Sequence, residues 1–430
     1  MTKTIILTTG GTGGHIFPAQ AVAQKLSEQG FRAIVFGNKN YRKYHKADKP
    51  YKCRIISSSQ LNKSPLALFK AGIKIFWGVL QSLFWIVKYQ PKSVVAFGGY
   101  STFPVLIAAV ILRKRIILHE QNAHLGKANL IFAKFADRIA LSYEQTDGIK
   151  NIISSPIFVD LAHQKNSKAV FSKKGLELSE TKRDCSSDSK NRAKQVHNKF
   201  ILTGNPIREG ILALSKNEYH LPDFNQKIQV IDNLGYDVLL ASQFYNHHNG
   251  NAELFNILVL GGSGGAKIFS DILPKALFNL RDELKNHLHI TQQCRLENLS
   301  VTFEQYKSFN INIVISHFFE NMAEEISKAH LVISRSGSSS LAEFACAKKP
   351  MILVPFALAA DNHQEKNALA IEKAGGAIVI KEADFTINNV TTTLEKLIDN
   401  PVTLQKMSNN AFKCAHLDAT KNLIKIINNE

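Results

Sequence analysis

The sequence predicts an α/β protein built from two doubly wound parallel-sheet domains. Short apolar runs alternate with helical patterns, which is the rhythm of βα units on a parallel sheet. The alternation stops and then resumes, and 430 residues exceed the usual size of one hydrophobic core. The predicted strands are residues 5–7, 33–36, 94–97, 116–118 and 139–141 in the first half, and residues 257–260, 313–315, 331–333 and 352–354 in the second.

Two stretches of different composition separate the halves. Residues 163–199 are rich in Lys, Ser, Asn and Asp and carry too little apolar material for a core element, so we predict a disordered surface insertion. Residues 215–252 contain NHHNGN and are predicted to form a loop, in which residues 238–241 could make a strand. We therefore predict an N-terminal domain over residues 1–207 and a C-terminal domain over residues 208–411, with a helix at 412–430 that packs back on the first domain.

The cysteines and the N-terminus predict a protein that stays in a reducing cytoplasm. Five cysteines lie far apart with no CxxC pair, which argues against a disulfide framework and a zinc site. No HExxH or DxD motif is present either, so no dedicated metal site is predicted. The apolar run before the first glycines is too short for a secretory signal.

The positive charge is concentrated in one interval. The net charge is +18, and no acidic residue occurs between Asp48 and Glu120. A field of one sign attracts nucleic acid or the headgroups of an acidic membrane leaflet. The alternative is a lysine-rich surface that serves only solubility.

Within this interval, residues 66–88 predict a helix that lies in a membrane interface. The segment holds both tryptophans, and the thirteen residues between its last two lysines are too few to cross a bilayer, which needs about 20. Large aromatic side chains clustered on an apolar helix with flanking lysines are typical of an interfacial helix. A groove that stacks nucleic-acid bases would instead interleave aromatic and basic residues. The alternative is a helix buried against the sheet. The residues predicted to contact the membrane are Phe69, Lys70, Lys74, Phe76, Trp77, Phe84 and Trp85.

The stretch GGTGGHIFPA, residues 10–19, predicts an anion site. It follows an apolar strand and opens a helical pattern, so its glycines allow close backbone approach and the first helical N–H groups face a ligand. His15 stands at the mouth of this turn. The alternative is a tight structural turn in which His15 acts as a cap.

The second half carries two comparable turns. ILVLGGSGGAK places Ser263 in a glycine turn after a strand, and LVISRSGSSSLAEFA leads through Gly337 into a helix that a serine at 338–340 can cap. Glu343 follows within two turns, where a carboxylate can accept bonds from ribose hydroxyls or compensate the helix dipole. Neither glycine turn matches a Walker A loop or a clean dinucleotide fingerprint.

Polar residues also follow the ends of other predicted strands. PFALAADNHQEKNA (355–368) suits sugar hydroxyls, and FGGYSTFP (97–104) and HEQNAHLGKAN (119–129) follow strands of the first half. The last of these offers Glu120 as a candidate acid or base. Arg208, in TGNPIR, is a candidate phosphate ligand. Each of these stretches could instead be an ordinary polar turn.

Seven motifs in order, GGTGGHIFPA, VVAFGGYSTFP, ILHEQNAHLGKAN, LTGNPIR, ILVLGGSGGAK, SRSGSSSLAEF and VPFALAADNHQEKNA, resemble the MurG family. The resemblance covers most of residues 1–150 and 200–380. It implies a GT-B fold, with two Rossmann-like domains facing a central cleft. It also implies inverting transfer of GlcNAc from UDP-GlcNAc to the C4 hydroxyl of MurNAc in lipid I, which forms lipid II without a cofactor.

The resemblance also implies the site residues. His15 matches the proposed catalytic base and Glu120 is a second candidate, and the sequence does not choose between them. Gly264 stands where the family usually has glutamine, which puts the local phosphate geometry in doubt. The implied donor contacts are Thr12, Gly13, Gly14, Asn122, Arg208, Ser263, Phe319, Ser338, Ser339, Glu343 and Gln364, and the implied acceptor contacts are Gly10, Gly11, Gly98, Gly99 and Tyr100.

The expected partners follow from this resemblance. They are UDP-GlcNAc, lipid I and the anionic cytoplasmic face of the inner membrane. Other cell-wall synthesis proteins are possible further partners, and nucleic acid is not an expected partner. Two alternatives stay open at this point. One is a GT-B glycosyltransferase with a different acceptor, and the other is a basic nucleic-acid-binding protein that transfers no sugar.

Overall fold

The computed structural model describes residues 3–45, 48–60, 64–149, 169–172, 175–178, 199–222, 254–262, 265–309 and 311–429. The chain divides into unit 1, made of Met1–Glu209 and His416–Glu430, and unit 2, made of Gly210–Ala415. The predicted loop at 215–252 lies largely outside the described residues, and so does its possible strand at 238–241.

The described strands and helices alternate along the chain. The strands are β1 (Thr4–Thr8), β2 (Arg32–Gly37), β3 (Lys52–Ile55), β4 (Ser93–Ala96), β5 (Ile116–Glu120), β6 (Arg138–Leu141), β7 (Ala169–Ser172), β8 (Gly175–Leu178), β9 (Phe200–Leu202), β10 (Phe255–Leu260), β11 (Leu288–Gln293), β12 (Asn312–Ser316), β13 (Leu331–Ser334), β14 (Met351–Leu353) and β15 (Ala377–Val379). The helices are α1 (Gly13–Glu28), α2 (Pro65–Tyr89), α3 (Phe103–Ile111), α4 (Lys127–Phe132), α5 (Glu209–Leu212), α6 (Lys267–Phe278), α7 (Asp282–Lys285), α8 (Leu299–Ser308), α9 (Met322–Lys328), α10 (Ser338–Cys346), α11 (His363–Lys373), α12 (Ile387–Ile398), α13 (Pro401–Lys413) and α14 (Ala419–Asn428).

Unit 1 is built on a seven-stranded sheet in the order β3-β2-β1-β4-β5-β6-β9. Every pairing in it is parallel. All five residues of β1 are buried, as expected for a central strand covered on both faces. The strand order reverses between β1 and β4, and such a switch point opens a crevice at the carboxyl ends of the strands.

Unit 2 repeats this plan with a six-stranded parallel sheet in the order β12-β11-β10-β13-β14-β15. Its switch point lies between β10 and β13. The core includes the fully buried Phe255, Phe269 and Tyr306. The predicted fold class, two doubly wound parallel-sheet domains, is confirmed.

Four strands of the two sheets were not among the predicted ones, namely β3, β9, β11 and β15. Residues 169–172 and 175–178, inside the predicted insertion, form the antiparallel hairpin β7–β8. We predicted disorder there because the segment has few apolar side chains. Hairpin pairing uses backbone N–H and C=O groups, so it does not require such side chains.

The C-terminal helix α14 packs on unit 1, where Leu423 and Ile427 join the same core cluster as Ile5 and Val22. The Arg115 guanidinium donates to the carbonyl oxygens of Ile426 and Ile427 at 2.7 Å each. A cation at this end of a helix satisfies carbonyls that have no partner within the helix.

Candidate functional site

The carboxyl-end crevice of unit 1 is lined by glycines packed around the imidazole of His15. A Cβ atom on Gly10 would lie 2.6 Å from His15 Cδ2, and one on Gly99 would lie 2.9 Å from the Gly10 Cα atom. Gly98 and Gly99, which follow β4, also have φ angles of +76° and +84°. Glycine is needed at these positions for the close approach and for the left-handed backbone.

The start of α1 is open. Thr12 is its N-cap residue with extended backbone and no side-chain capping bond, and no acidic residue occupies the first turn. Thr12 and Gly14 are exposed, whereas Gly13 is buried. A Cβ on Gly14 would meet nothing within 4 Å, while one on Gly11 would lie 2.5 Å from Asn38 Nδ2. The helix N-terminus therefore presents a positive dipole end with no carboxylate of its own against it.

His15 is held from the inner side of its ring. Its Nδ1 lies 2.7 Å from the carbonyl oxygen of Phe97 and 2.5 Å from Nε2 of Gln121. Gln121 is buried and also donates to the Phe97 oxygen at 2.6 Å. His15 Nδ1 therefore faces protein groups of the loops after β4 and β5.

Glu120 is buried at the end of β5, and its carboxylate accepts four hydrogen bonds. Oε1 accepts from the backbone N–H of Asn122 at 3.0 Å and from its side-chain amide at 3.2 Å. Oε2 accepts from the Gly126 N–H and from Asn129 Nδ2, both at 2.8 Å. Burial raises the pKa of the Glu120 carboxyl, and the four bonds oppose that shift. The carboxylate thus orders the loop that leads into α4.

His119, the neighbour of Glu120, is fully buried. Its Nε2 lies 3.2 Å from the Gly204 carbonyl oxygen, and burial lowers its pKa to about 4. It is therefore neutral at physiological pH and packs against Phe97, with the ring centroids 5.3 Å apart.

Two further predicted residues of unit 1 have defined contacts. The Tyr100 hydroxyl accepts from Asn38 Nδ2 at 3.1 Å, which ties the loop after β4 to the loop after β2. The guanidinium carbon of Arg208 lies 4.3 Å from the centre of the Phe17 ring on α1. This cation–π contact places Arg208 beside the helix that carries His15.

The glycine turn of unit 2 follows β10. A Cβ on Gly261 would lie 2.1 Å from the Ala266 nitrogen, and Gly262 and Gly265 have φ angles of +80° and +67°. The turn therefore closes on itself in a way that only glycine permits. Ser263 and Gly264 lie outside the described residues.

The turn after β13 leads into α10. Ser338, Ser339 and Glu343 are all buried there. The expected serine cap is wrong: Gly337 is the N-cap residue, and no side chain caps the helix. Since Ser338 already lies within the helix, its hydroxyl is not placed to bond the N–H groups that an N-cap side chain reaches.

Gln364 is half-buried at the start of α11. Its Oε1 accepts from the Phe356 N–H at 3.0 Å, and its carbonyl oxygen accepts from Ser336 Oγ at 2.7 Å. These bonds connect the loops after β13 and β14. Phe319, which follows β12, is buried and only 5% exposed.

Sequence reasoning missed the partly buried ion pair between Arg335 and Glu382. Arg335 Nη2 lies 2.8 Å from Glu382 Oε1, and Nη1 lies 3.2 Å from Oε2. Burial raises the pKa of Glu382, but the bonds from Arg335 and the Ala357 N–H outweigh this and lower it. The pair braces the loop after β14, and no sequence signal connects residues so far apart.

The face of α2 that carries the predicted membrane residues is exposed. Phe69, Phe76, Trp77 and Phe84 are each more than half exposed, and Lys70 and Lys74 are exposed as well. Trp85 differs: it is half-buried and stacks on Tyr89 with the Arg54 guanidinium 4.7 Å from its ring centre.

The opposite face of α2 packs on unit 1. A Cβ on Gly78 would lie 1.9 Å from the Ser57 carbonyl oxygen, and Ile86 is fully buried in the same cluster as α3. Within the described part of the chain, Leu68–Tyr89 is the one helix long and apolar enough to cross a membrane by length and composition alone. The sequence-based count took only the thirteen residues between Lys74 and Lys88, whereas this length includes the lysines, so the interfacial helix stays a prediction.

Among the described residues, no group of three or more His, Cys, Asp or Glu side chains could hold a metal ion.

Models of two protein domains match the chain. Residues 5–141 match the glycosyltransferase family 28 N-terminal domain, and residues 256–423 match the glycosyltransferase family 28 C-terminal domain.

Two of the relatives that match at 30% identity bear the name "UDP-N-acetylglucosamine--N-acetylmuramyl-(pentapeptide) pyrophosphoryl-undecaprenol N-acetylglucosamine transferase". The relative from Rhodospirillum centenum matches over 97% of this chain and 92% of its own length. The relative from Wolbachia sp. subsp. Drosophila simulans matches over 98% of both chains.

Solved structures share the fold. MurG of Acinetobacter baumannii superposes with a TM-score of 0.64 at 21% identity, covering 100% of both chains. A UDP-GlcNAc 2-epimerase of Neisseria meningitidis bound to UDP-GlcNAc gives a TM-score of 0.55 at 15% identity, also covering 100% of both chains.

Proposed function

The chain belongs to the MurG family of glycosyltransferases, and we infer that it transfers N-acetylglucosamine from UDP-GlcNAc to lipid I, undecaprenyl-pyrophosphoryl-N-acetylmuramyl-pentapeptide. The C4 hydroxyl of the muramyl sugar attacks the anomeric carbon, and the bond to UDP breaks. Configuration inverts, and the product is lipid II with a β-1,4 linkage, a precursor of peptidoglycan. A base takes the hydroxyl proton while charge develops on the phosphates of the leaving UDP.

The observation that carries this conclusion is similarity to enzymes of that named activity across both units. A match confined to unit 2 would support only a nucleotide-sugar-binding half. Here the similarity includes the glycine turn of unit 1, the loop after β5 and the turns after β10 and β13.

We propose His15 as the catalytic base. The carbonyl oxygen of Phe97 can only accept a hydrogen bond, so a neutral His15 that bonds it carries its proton on Nδ1 and keeps a lone pair on Nε2. The Glu120 carboxylate is already engaged by four protein donors, so a proton taken there would break bonds that order the loop. Glu120 therefore acts as a positioning residue in this proposal.

The acceptor pyrophosphate is proposed to bind at the glycine turns of unit 1. The loop after β4 approaches Gly10 closely, and its glycines leave the backbone open to an anion beside the start of α1. The proposed acceptor residues are Gly10, Gly11, Gly98, Gly99 and Tyr100.

UDP is proposed to bind unit 2 at the turns after β10 and β13. Glu343 is a carboxylate placed to accept from ribose hydroxyls, and Gln364 is fixed by its bond from the Phe356 N–H, so it can present its amide to the sugar. The proposed donor residues of unit 2 are Ser263, Phe319, Ser338, Ser339, Glu343 and Gln364. Those proposed in unit 1 are Thr12, Gly13, Gly14, Asn122 and Arg208.

We propose that the reaction needs no cofactor. Helix N-termini and the Arg208 guanidinium supply the positive charge that phosphates require, and UDP-GlcNAc is itself a substrate.

The protein is proposed to work at the cytoplasmic face of the inner membrane as a peripheral enzyme. Its acceptor is a lipid, and α2 presents exposed aromatic side chains with lysines while its other face is packed in unit 1. A helix held in this way can lie in the interface with its apolar face in the lipid. Binding to other cell-wall synthesis proteins remains a further proposal.

A transfer assay tests the proposed function. Purified protein is incubated with UDP-GlcNAc and a lipid I analogue, and the expected product is the β-1,4-linked disaccharide lipid. The parallel reactions offer UDP-GlcNAc with a different lipid-linked sugar, or with nucleic acid. Transfer to another acceptor at the same rate, or no transfer from UDP-GlcNAc, would contradict the assignment.

A further inference from the structure

Three polar atoms meet on the inner side of the His15 ring. The Phe97 carbonyl oxygen lies 2.7 Å from His15 Nδ1 and 2.6 Å from Gln121 Nε2, and the two nitrogens are 2.5 Å apart. The Gln121 side chain is 2% exposed. Gln121 belongs to the loop after β5, and the reaction as described so far assigns it no role.

The orientation of the Gln121 amide follows from its neighbours. The Gln121 amide atom that lies beside His15 Nδ1 is 2.6 Å from the Phe97 carbonyl oxygen and 3.5 Å from the Gly14 carbonyl oxygen. Carbonyl oxygens only accept hydrogen bonds, so the amide presents its N–H₂ group to them and not its oxygen. The same N–H₂ group is therefore the one beside His15 Nδ1.

An amide N–H₂ group at this distance disfavours a positive charge on the ring. If Nδ1 is unprotonated, it can accept from the amide, which stabilises the neutral ring. If Nδ1 is protonated, the positive end of the amide dipole lies beside it, and a second proton on Nε2 would add to the repulsion. The proposed base has the second arrangement, because its bond to the Phe97 oxygen puts the proton on Nδ1 and leaves the lone pair on Nε2. In that arrangement the amide opposes a second proton on the resting ring, so Nε2 stays able to accept one.

Two titratable groups near His15 come from β5. His119 is electrostatically coupled to His15, and it is neutral at physiological pH. Glu120 directs its carboxylate at the donors of Asn122, Gly126 and Asn129. From α1, no acidic side chain lies in the first turn, and from the loop after β4 the neighbours are glycines.

We propose that Gln121 is a positioning residue for the transfer reaction. Its amide fixes the His15 ring against the Phe97 carbonyl, directs Nε2 toward the attacking hydroxyl and keeps the ring neutral between turnovers. This inference rests on the proposed function, since it takes His15 as the base.

The test compares Gln121→Met with Gln20→Met. Methionine has a similar length and lacks the amide. Gln20 is a matched control because it lies on the same helix as His15, is half-buried and donates to the Tyr44 carbonyl oxygen at 2.8 Å. We expect Gln121→Met to lower kcat by between about tenfold and a hundredfold, with KM for UDP-GlcNAc within about twofold of wild type. The acidic limb of its pH–rate profile should move up by about one pH unit. Gln20→Met should change none of these.

Nitrogen-15 NMR of the histidine rings gives a second readout, the pH at which the His15 ring titrates. A loss of packing alone would not change that pH. The signal assigned to His15 by comparison with His15→Gln should titrate at higher pH in Gln121→Met than in wild type. An unmoved acidic limb together with an unmoved His15 titration would overturn the inference. Wild-type protein without transfer activity would instead refute the proposed function, and full activity in His15→Gln would refute the base assignment.

Discussion

Two side chains of unit 1 that sequence reasoning could not rank are held in different ways. His15 has Nδ1 against protein groups, and we propose that its Nε2 accepts the proton. Glu120 has both carboxylate oxygens bonded to backbone and side-chain donors of its own loop. The better base is the group that can take a proton without losing hydrogen bonds that hold the fold. This comparison favours His15 over Glu120.

Replacing His15 with Gln should abolish most turnover without weakening donor binding. Glutamine retains polarity but cannot take the proton, so kcat should fall by about 10²- to 10⁴-fold. The measurement is initial-rate kinetics with a lipid I analogue, together with calorimetric titration of UDP. A variant that retains wild-type kcat would remove His15 from the mechanism.

Replacing Glu120 with Gln should destabilise unit 1. The amide NH₂ group would face one pair of donors in place of an acceptor oxygen, leaving buried groups unpaired at a cost of about 1–3 kcal/mol. Urea unfolding should show this loss, and Glu144→Gln, which changes an exposed carboxylate of the same unit, should not. Equal stability of both variants would mean that the four bonds of Glu120 contribute nothing net.

At the scale of elements, α2 combines a packed face with an exposed aromatic face. Its inner face closely approaches Ser57 and contributes Ile86 to the core. The exposed side chains therefore need not be explained by folding, and large exposed apolar patches mark interaction surfaces.

The double substitution Phe76→Ser and Trp77→Ser should weaken binding to vesicles that contain anionic lipid. Each side chain removed from the lipid should cost roughly 1.5–3 kcal/mol at full burial, so the pair should reduce vesicle affinity at least tenfold. Sedimentation with phosphatidylglycerol vesicles measures it. The matched control is Val402→Ser, an exposed apolar side chain of unit 2 that is 79% exposed. Equal loss in the control, or no loss in the α2 variant, would contradict the membrane proposal.

At the scale of the whole molecule, each unit contains a histidine whose charging opposes folding: His119 is buried in unit 1, and His330 is half-buried in unit 2. Burial lowers the pKa of His119 in unit 1 and of His330 in unit 2 to about 4. His330 Nδ1 accepts from the Asn256 N–H at 2.9 Å, which requires that nitrogen to be unprotonated. In unit 1 the raised pKa of Glu120 acts in the opposite direction, so unit 2 shows the effect more cleanly.

Unit 2 should lose stability as the pH falls from about 6.5 to about 4. In this window the unfolded chain binds a proton at His330 that the folded chain does not, so the stabilisation present above pH 6.5 is lost. The expected loss at pH 5 is about 2 kcal/mol. Urea unfolding of wild type, His330→Gln and His220→Gln at pH 7 and pH 5 measures it, with exposed His220 as the control. An equal loss of unfolding free energy between pH 7 and pH 5 in wild type and in His330→Gln would contradict this account.

The sequence by itself determined the repeated βα pattern and the position of the glycine turns at strand ends. These follow from local causes, namely apolar periodicity and the freedom of glycine, so no long-range contact is needed to predict them. The edge strands β3, β9 and β15 escaped prediction, and so did the inner strand β11. The three edge strands have three or four residues each, and such short segments become strands only when a neighbour supplies the pairing. Strand β11 has six residues, but most of them are polar, so its sequence does not show a continuous apolar run.

The tertiary structure alone decided how the candidate groups of the site are held. The environment of His15 depends on Phe97 and Gln121, which reach it from β4 and β5, and the brace between Arg335 and Glu382 joins residues from separate loops. Hydrogen-bond partners of buried groups are fixed by which loops the sheet brings together, and that information is not local to any motif. The turn that the sequence predicts as an anion site therefore meets the loop after β4, and Gly10 of the turn with Gly98 and Gly99 of that loop makes room for the His15 ring.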